Sequence, residues 1–60
     1  MIKFADRLKE LRKEKGISQK LVAKEIGITL SAYSNYEQGI REPSNEMLIK
    51  LCKYYNVSAD

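Results

Sequence analysis

The chain has 60 residues, with 11 Lys and Arg against 8 Asp and Glu for a net charge of +3, one cysteine and no histidine. A chain of this length makes one small domain near the lower limit for folding without disulfides or metal. It buries about 60% of its unfolded surface and has no room for a separate enzyme core. Cys52 has no imidazole to activate it and no second thiol to pair with, so no catalytic residue, disulfide, metal or cofactor is expected.

Phe4, Ala5, Leu8 and Leu11 recur with helical period among charged residues, predicting an amphipathic helix that ends at Gly16. Lys13 and Lys15 lie in its last turn, where they complement the helix dipole. Ser18 is placed to cap a second helix with Val22, Ala23 and Ile26 inward, stopped by Gly27. Thr29 caps a third, with Tyr33 and Tyr36 on one side, ending near Gly39. Ile40 to Pro43 form a loop, and Ser44 caps a fourth helix carrying Leu48, Leu51, Cys52 and Tyr55 inward. Asn56 follows it at the position where, as at Gly16, Gly27 and Gly39, a left-handed residue closes a helix. Leu21 and Tyr54 fall outside the apolar stripes and are expected to be exposed, whereas Cys52 reads as a small hydrophobe. With no repeat and no linker, residues 1–60 read as a single all-α domain.

The apolar run Met47-Leu48-Ile49 is far short of the roughly 18 residues of a membrane span, and no apolar stretch follows Met1 as a signal peptide requires. A reduced, cytoplasmic chain with no membrane partner is expected. The charge is uneven, +4 in residues 1–30 and −1 in residues 31–60, a modest bias toward a polyanionic partner. Much of it sits on the first helix, where Arg7, Lys9, Arg12, Lys13 and Lys15 alternate with Asp6, Glu10 and Glu14. That pattern reads as a solvated, self-paired face.

Within residues 19–38, two short helices are separated by Gly27-Ile28-Thr29, a connection suited to helices crossing at about 90–120°. Ser18-Gln19, Val22-Ala23, Ile26-Gly27-Ile28-Thr29, Tyr33-Ser34-Asn35-Tyr36-Glu37-Gln38-Gly39, Pro43-Ser44 and Asn56-Val57-Ser58 together resemble the phage-repressor and Cro type of helix-turn-helix DNA-binding domain, the XRE family. The similarity runs from Leu8 to Ser58, with small Ala23 letting the two helices approach and Gly27 making the turn. It implies a compact four-helix, lambda-repressor-like domain, or a five-helix one cut short, because the family continues past Val57-Ser58 into a further helix. It also implies a transcriptional regulator, a repressor, that inserts its third helix into the major groove of double-stranded DNA while the second crosses the backbone. The same resemblance implies a homodimer on a pseudo-palindromic operator and a nucleoid-associated location.

On the third helix, the side away from Tyr33 and Tyr36 offers Leu30, Ser31, Ser34, Asn35 and Gln38. Residues 29–39 contain no Lys or Arg, so the bidentate contact to guanine is not available from this helix. Asn35 suits the adenine N6/N7 edge, Ser31 and Ser34 suit several bases, and Leu30 suits a thymine methyl. By resemblance, Gln19 stands where the family's glutamine touches phosphate, with Lys20, Gln38, Arg41 and Ser44 as companions near two helix N-termini. Ile40 and Glu42 depart from a usually basic loop, which implies weak non-specific affinity and a shallow salt dependence. Arg12 stands where many family members carry an arginine paired with the glutamate ending the third helix, here Glu37, as a structural ion pair. Tyr33 occupies a usually aliphatic position and is expected in the core, its hydroxyl reaching the domain edge or a partner; Tyr36 is expected mostly in the core. The alternative is an antitoxin-like or adaptor module that uses the same fold mainly for protein–protein contacts.

Overall fold

Residues 4–57 are described by a computed structural model in which four helices follow one another: α1 (Phe4–Lys15), α2 (Gln19–Ile26), α3 (Leu30–Gln38) and α4 (Asn45–Tyr54). Residues 1–3, Ser58 and any continuation toward a fifth helix lie outside the described residues.

Short polar residues start three of these helices. The hydroxyls of Ser18, Thr29 and Ser44 accept from the amides of Leu21, Ala32 and Met47 at 3.1, 3.1 and 3.2 Å, satisfying donors that the first turn leaves without intrahelical partners. Between α2 and α3, Gly27 turns left-handed at φ +89°, and the amides of Gly27 and Ile28 both reach the Ala23 carbonyl at 2.9 Å. The chain thereby reverses within three residues and delivers Thr29 as the next cap. After α4, Asn56 takes the same left-handed conformation at φ 56°, as the sequence predicts.

α3 packs against both α1 and α2, and α2 in turn meets α4. Leu8, Leu11, Val22, Ala23, Ile26, Tyr33, Leu51 and Tyr55 form the buried cluster, with Phe4, Ile17, Ile28, Tyr36, Met47, Tyr54 and Val57 closing its margins. Cys52 is buried as a free thiol and Leu21 is exposed, as the patterning predicts.

Three expectations are corrected. Leu48 and Met47 are both half-buried, but it is Met47 that packs against the core, because Met47, Leu51 and Tyr55, the last just after α4, stand four residues apart on one side. Tyr54 is not a free surface group. Its ring meets Tyr55 edge-on with centroids 5.1 Å apart, the Lys15 ammonium lies 5.2 Å from its centre, and its hydroxyl donates to Glu25. Tyr33 does not present its hydroxyl at an edge: it is fully buried and bonds the Tyr55 hydroxyl at 2.6 Å, because α4 brings a second inward tyrosine opposite it. A further tie joins α4 to α2, where Lys50 Nζ donates to the Ile26 carbonyl at 3.1 Å and sets a cation on the negative end of the α2 dipole.

A Cβ at residue 27 would meet nothing within 4 Å, so replacement there tests the backbone conformation alone. Gly27→Ala should lower the urea unfolding free energy by about 1–2 kcal/mol, and Gly27→Asn by less, because alanine resists the left-handed region more strongly. Equal midpoints for Gly27→Ala and the unsubstituted chain would remove the turn's claimed role.

Candidate nucleic-acid interface

The helix-turn-helix segment sets one side of α3 into the core and leaves the other outside. Tyr33 and Glu37 form the buried row, one turn apart. On the outer side, Leu30 is 48% exposed, Ser31 and Gln38 are exposed, and Ser34 and Asn35 are half-buried. Ser31 and Asn35 lie four residues apart, as do Leu30 and Ser34, so two short rows run along that side. Gln38 Nε2 donates to Ser34 Oγ at 2.7 Å, drawing these two together. The Asn35 carboxamide has no hydrogen-bond partner among the described residues and is free to meet an outside donor–acceptor pair. This side carries no formal charge, so what it offers is shape, two hydroxyls, two carboxamides and one apolar group.

The inner side is held by a buried ion pair. Glu37 is 2% exposed, and Arg12 approaches it in a fork, with Nε donating to Oε2 at 2.7 Å and Nη2 to Oε1 at 3.2 Å. Arg12 Nη1 also donates to the Ile17 carbonyl at 3.0 Å, so one guanidinium joins α1, the α1–α2 connection and α3. Gln19 Nε2 donates to Glu37 Oε1 at 3.0 Å, adding the first residue of α2. Burial alone pushes the Glu37 carboxyl up, but hydrogen bonds from Arg12 and Gln19, with the action of the nearby Tyr33 hydroxyl, outweigh it and hold the group below its ordinary value. The hydrogen bond to Glu37 correspondingly raises Arg12.

Of the residues expected near phosphate, Gln19 joins this anchor. Lys20 is exposed on α2, and Arg41 is exposed in the loop after α3 with its amide bonded to the Asn35 carbonyl at 3.3 Å. Ser44 caps α4 with its hydroxyl turned to Met47 N, and the Gln19 carboxamide nitrogen is turned inward to Glu37 rather than left open to an anion. Gln38 is likewise engaged, with Ser34. On α1, the described pairing is Arg7 with Glu10 at 3.4 Å, an exposed contact of small energetic weight.

The sequence reading missed the Tyr33–Tyr55 hydroxyl pair and the Gln19–Glu37 bond. The first carries a signal: two tyrosines on the inward stripes of neighbouring helices bring two hydroxyls that must find partners once buried. The second carries none, since a glutamine in the first turn of a helix is equally at home in solvent.

A family model described as "Helix-turn-helix" matches residues 8–60. Among curated proteins, the uncharacterized HTH-type transcriptional regulator YqaE of Bacillus subtilis is 42% identical over 57 residues, which is 95% of this chain and 49% of YqaE. The HTH-type transcriptional regulator ImmR of the same organism is 44% identical over 54 residues, 90% of this chain and 42% of ImmR. The cryptic phage CTXphi transcriptional repressor RstR of Vibrio cholerae is 37% identical over 54 residues, 90% of this chain and 49% of RstR. The chain thus spans about half the length of these relatives.

Because the Glu37 carboxyl is held low in the folded chain, its contribution to stability is complete above pH about 4.5, its ordinary value, and is lost as the pH falls through the lower native value. Glu37→Gln should flatten the acid limb of a thermal-stability profile measured between pH 7 and 3. At pH 7, Arg12→Ala should cost about 2–3 kcal/mol, less than a wholly enclosed pair because Arg12 keeps one edge in solvent. For a 60-residue domain whose whole stability is about 3–9 kcal/mol, that is a large fraction. Unchanged melting for both variants would mean that the pair is energetically idle.

Proposed function

The chain belongs to the helix-turn-helix family of phage-repressor type, and from that membership we propose that it is a DNA-binding transcriptional regulator, a repressor, that reads double-stranded DNA by laying α3 in the major groove. The single observation that carries the reading is the division of α3 into two sides. Its inner side is locked by the buried Glu37–Arg12 pair, and its outer side presents the free Asn35 carboxamide with Leu30 and Ser31 beside it.

In this reading Asn35 bonds the N6/N7 edge of an adenine, Leu30 covers a neighbouring thymine methyl, and Ser31 and Ser34 supply single hydrogen bonds. Lys20 and Arg41 are in this reading the cations that meet phosphate, joined by the Ser44 hydroxyl proton and by the second amide hydrogens of Gln19 and Gln38, whose first hydrogens go to Glu37 and Ser34. Few cations imply few displaced counterions, and therefore a weak dependence of affinity on salt. Two copies on a pseudo-palindromic operator would set their recognition helices about 34 Å apart, one turn of the duplex.

A second reading, a module whose partner is another protein, is favoured by the apolar groups left in solvent at the two ends of α3, Leu30 at 48% and Ile40 at 69% exposed, and by the lack of cations on α3. Selection from a random duplex pool at two salt concentrations separates the two readings. Enrichment of an A·T-bearing motif supports the repressor, whereas salt-sensitive binding with no enriched motif supports the protein-binding module.

On the enriched duplex, Asn35→Ala should lose about 1–3 kcal/mol of binding at one base position only, and equal losses on every sequence would sink the base-reading role. Replacing the contacted thymine by uracil should weaken the unsubstituted chain by about 0.8 kcal/mol, roughly fourfold, and leave Leu30→Ala unaffected. Lys20→Ala and Arg41→Ala should each reduce the salt slope by about 1 while leaving the preferred sequence unchanged.

A further inference from the structure

The Tyr33 and Tyr55 hydroxyls lie 2.6 Å apart in the core, on side chains 0% and 6% exposed. No buried side-chain nitrogen or oxygen among the described residues lacks a hydrogen-bond partner, so this contact belongs to a satisfied interior. Tyr33 lies one turn before Glu37 on the inner side of α3, and Glu37 takes its hydrogen bonds from Arg12 of α1 and Gln19 of α2. Polar groups therefore run through the middle of the domain, from Tyr55 just after α4, along α3, to α1 and the start of α2. Any of the apolar contacts around α3 tolerates a small roll of the helix about its own axis, because dispersion is non-directional. A hydrogen bond between two phenols does not, since its strength depends on angle and distance.

We propose that Tyr55 is a positioning residue for DNA reading: through the Tyr33 hydroxyl it fixes the roll of α3 at mid-helix, as Arg12 does at the helix end, and so aims Leu30, Ser31 and Asn35. The proposal rests on the reading of α3 as the recognition helix. Its chemistry is self-consistent. When Tyr55 donates to Tyr33, the single Tyr33 proton is left for the Glu37 carboxylate, which can only accept. Burial first, and then Tyr55 and Glu37, raise the Tyr33 hydroxyl far above its ordinary range, and burial raises Tyr55 as well, so both phenols keep their protons at neutral pH. The acid-labile member of the cluster is Glu37.

Tyr55→Phe, Tyr33→Phe and the double phenylalanine variant test it. Tyr33→Phe orphans the Tyr55 hydroxyl and should melt lowest, whereas the double variant removes both partners and should recover most of the loss. A merely structural pair ends there. A positioning pair predicts that the double variant, though folded and stable, discriminates the selected duplex from its single-base variants on the order of 3- to 30-fold less well, with binding to a mixed-sequence duplex unchanged. It also predicts that the Arg12 Nε–H resonance of the free protein moves in Tyr55→Phe, at a group Tyr55 does not hydrogen-bond. Retained discrimination in the double variant together with an unmoved Arg12 resonance overturns the proposal. Should the unsubstituted chain enrich no sequence at all, the DNA reading itself fails, and the Arg12 resonance still decides whether Tyr55 is coupled to the ion pair.

Discussion

A carboxylate withdrawn almost wholly from water in so small a domain obliges its neighbours to supply donors, and those of Glu37 come from two other helices, α1 and α2. Left uncompensated, a buried charge costs several kcal/mol, comparable to everything that holds a domain of this size together. Arg12 answers it with two guanidinium nitrogens and uses a third on the Ile17 carbonyl, while Gln19 adds a carboxamide. Apolar burial draws the helices together, but it is indifferent to modest rotation. The Glu37 cluster selects one arrangement, because charge-assisted hydrogen bonds are satisfied at one geometry.

That constraint has a functional meaning because of where it lies. Glu37 is on α3, the element whose opposite side carries the side chains proposed to read bases. The two sides of one nine-residue helix therefore do opposite things. The inner side concentrates the only formal charge of the helix, and the outer side is neutral. In many DNA-binding domains attraction and reading are supplied by the same cationic helix. In the reading proposed above, attraction falls to Lys20 and Arg41 on flanking elements, both exposed, and base reading to short side chains held at a fixed angle.

The helices were legible in the sequence, down to the capping residues, because their signals are local. Ser18, Thr29 and Ser44 satisfy amides three residues away, and Gly27 and Asn56 answer to backbone sterics at their own positions. Arg12 and Glu37 were paired by resemblance and not by pattern, since 25 residues separate them and no period links them. Leu48 was misassigned for a different reason. On a ten-residue helix, two adjacent residues lie 100° apart, and a neighbouring element decides which one points in; the contacts favour Met47. Tyr54 illustrates the same limit at the surface, where Lys15 and Glu25 from other helices turn an expected bystander into a contact.

The sequence by itself determined the four helices among the described residues, their ends, the tight turn at Gly27 and the uncharged outer side of α3, since each is set by residues within one turn of one another. The tertiary structure decided where the polar interior lies: that Gln19 turns in toward Glu37, and that the Tyr33 hydroxyl meets Tyr55 instead of reaching the domain edge. Those partners are 18 and 22 residues apart. Whether a buried polar group finds its complement depends on how helices meet in space, and that relation is carried by packing rather than by periodicity.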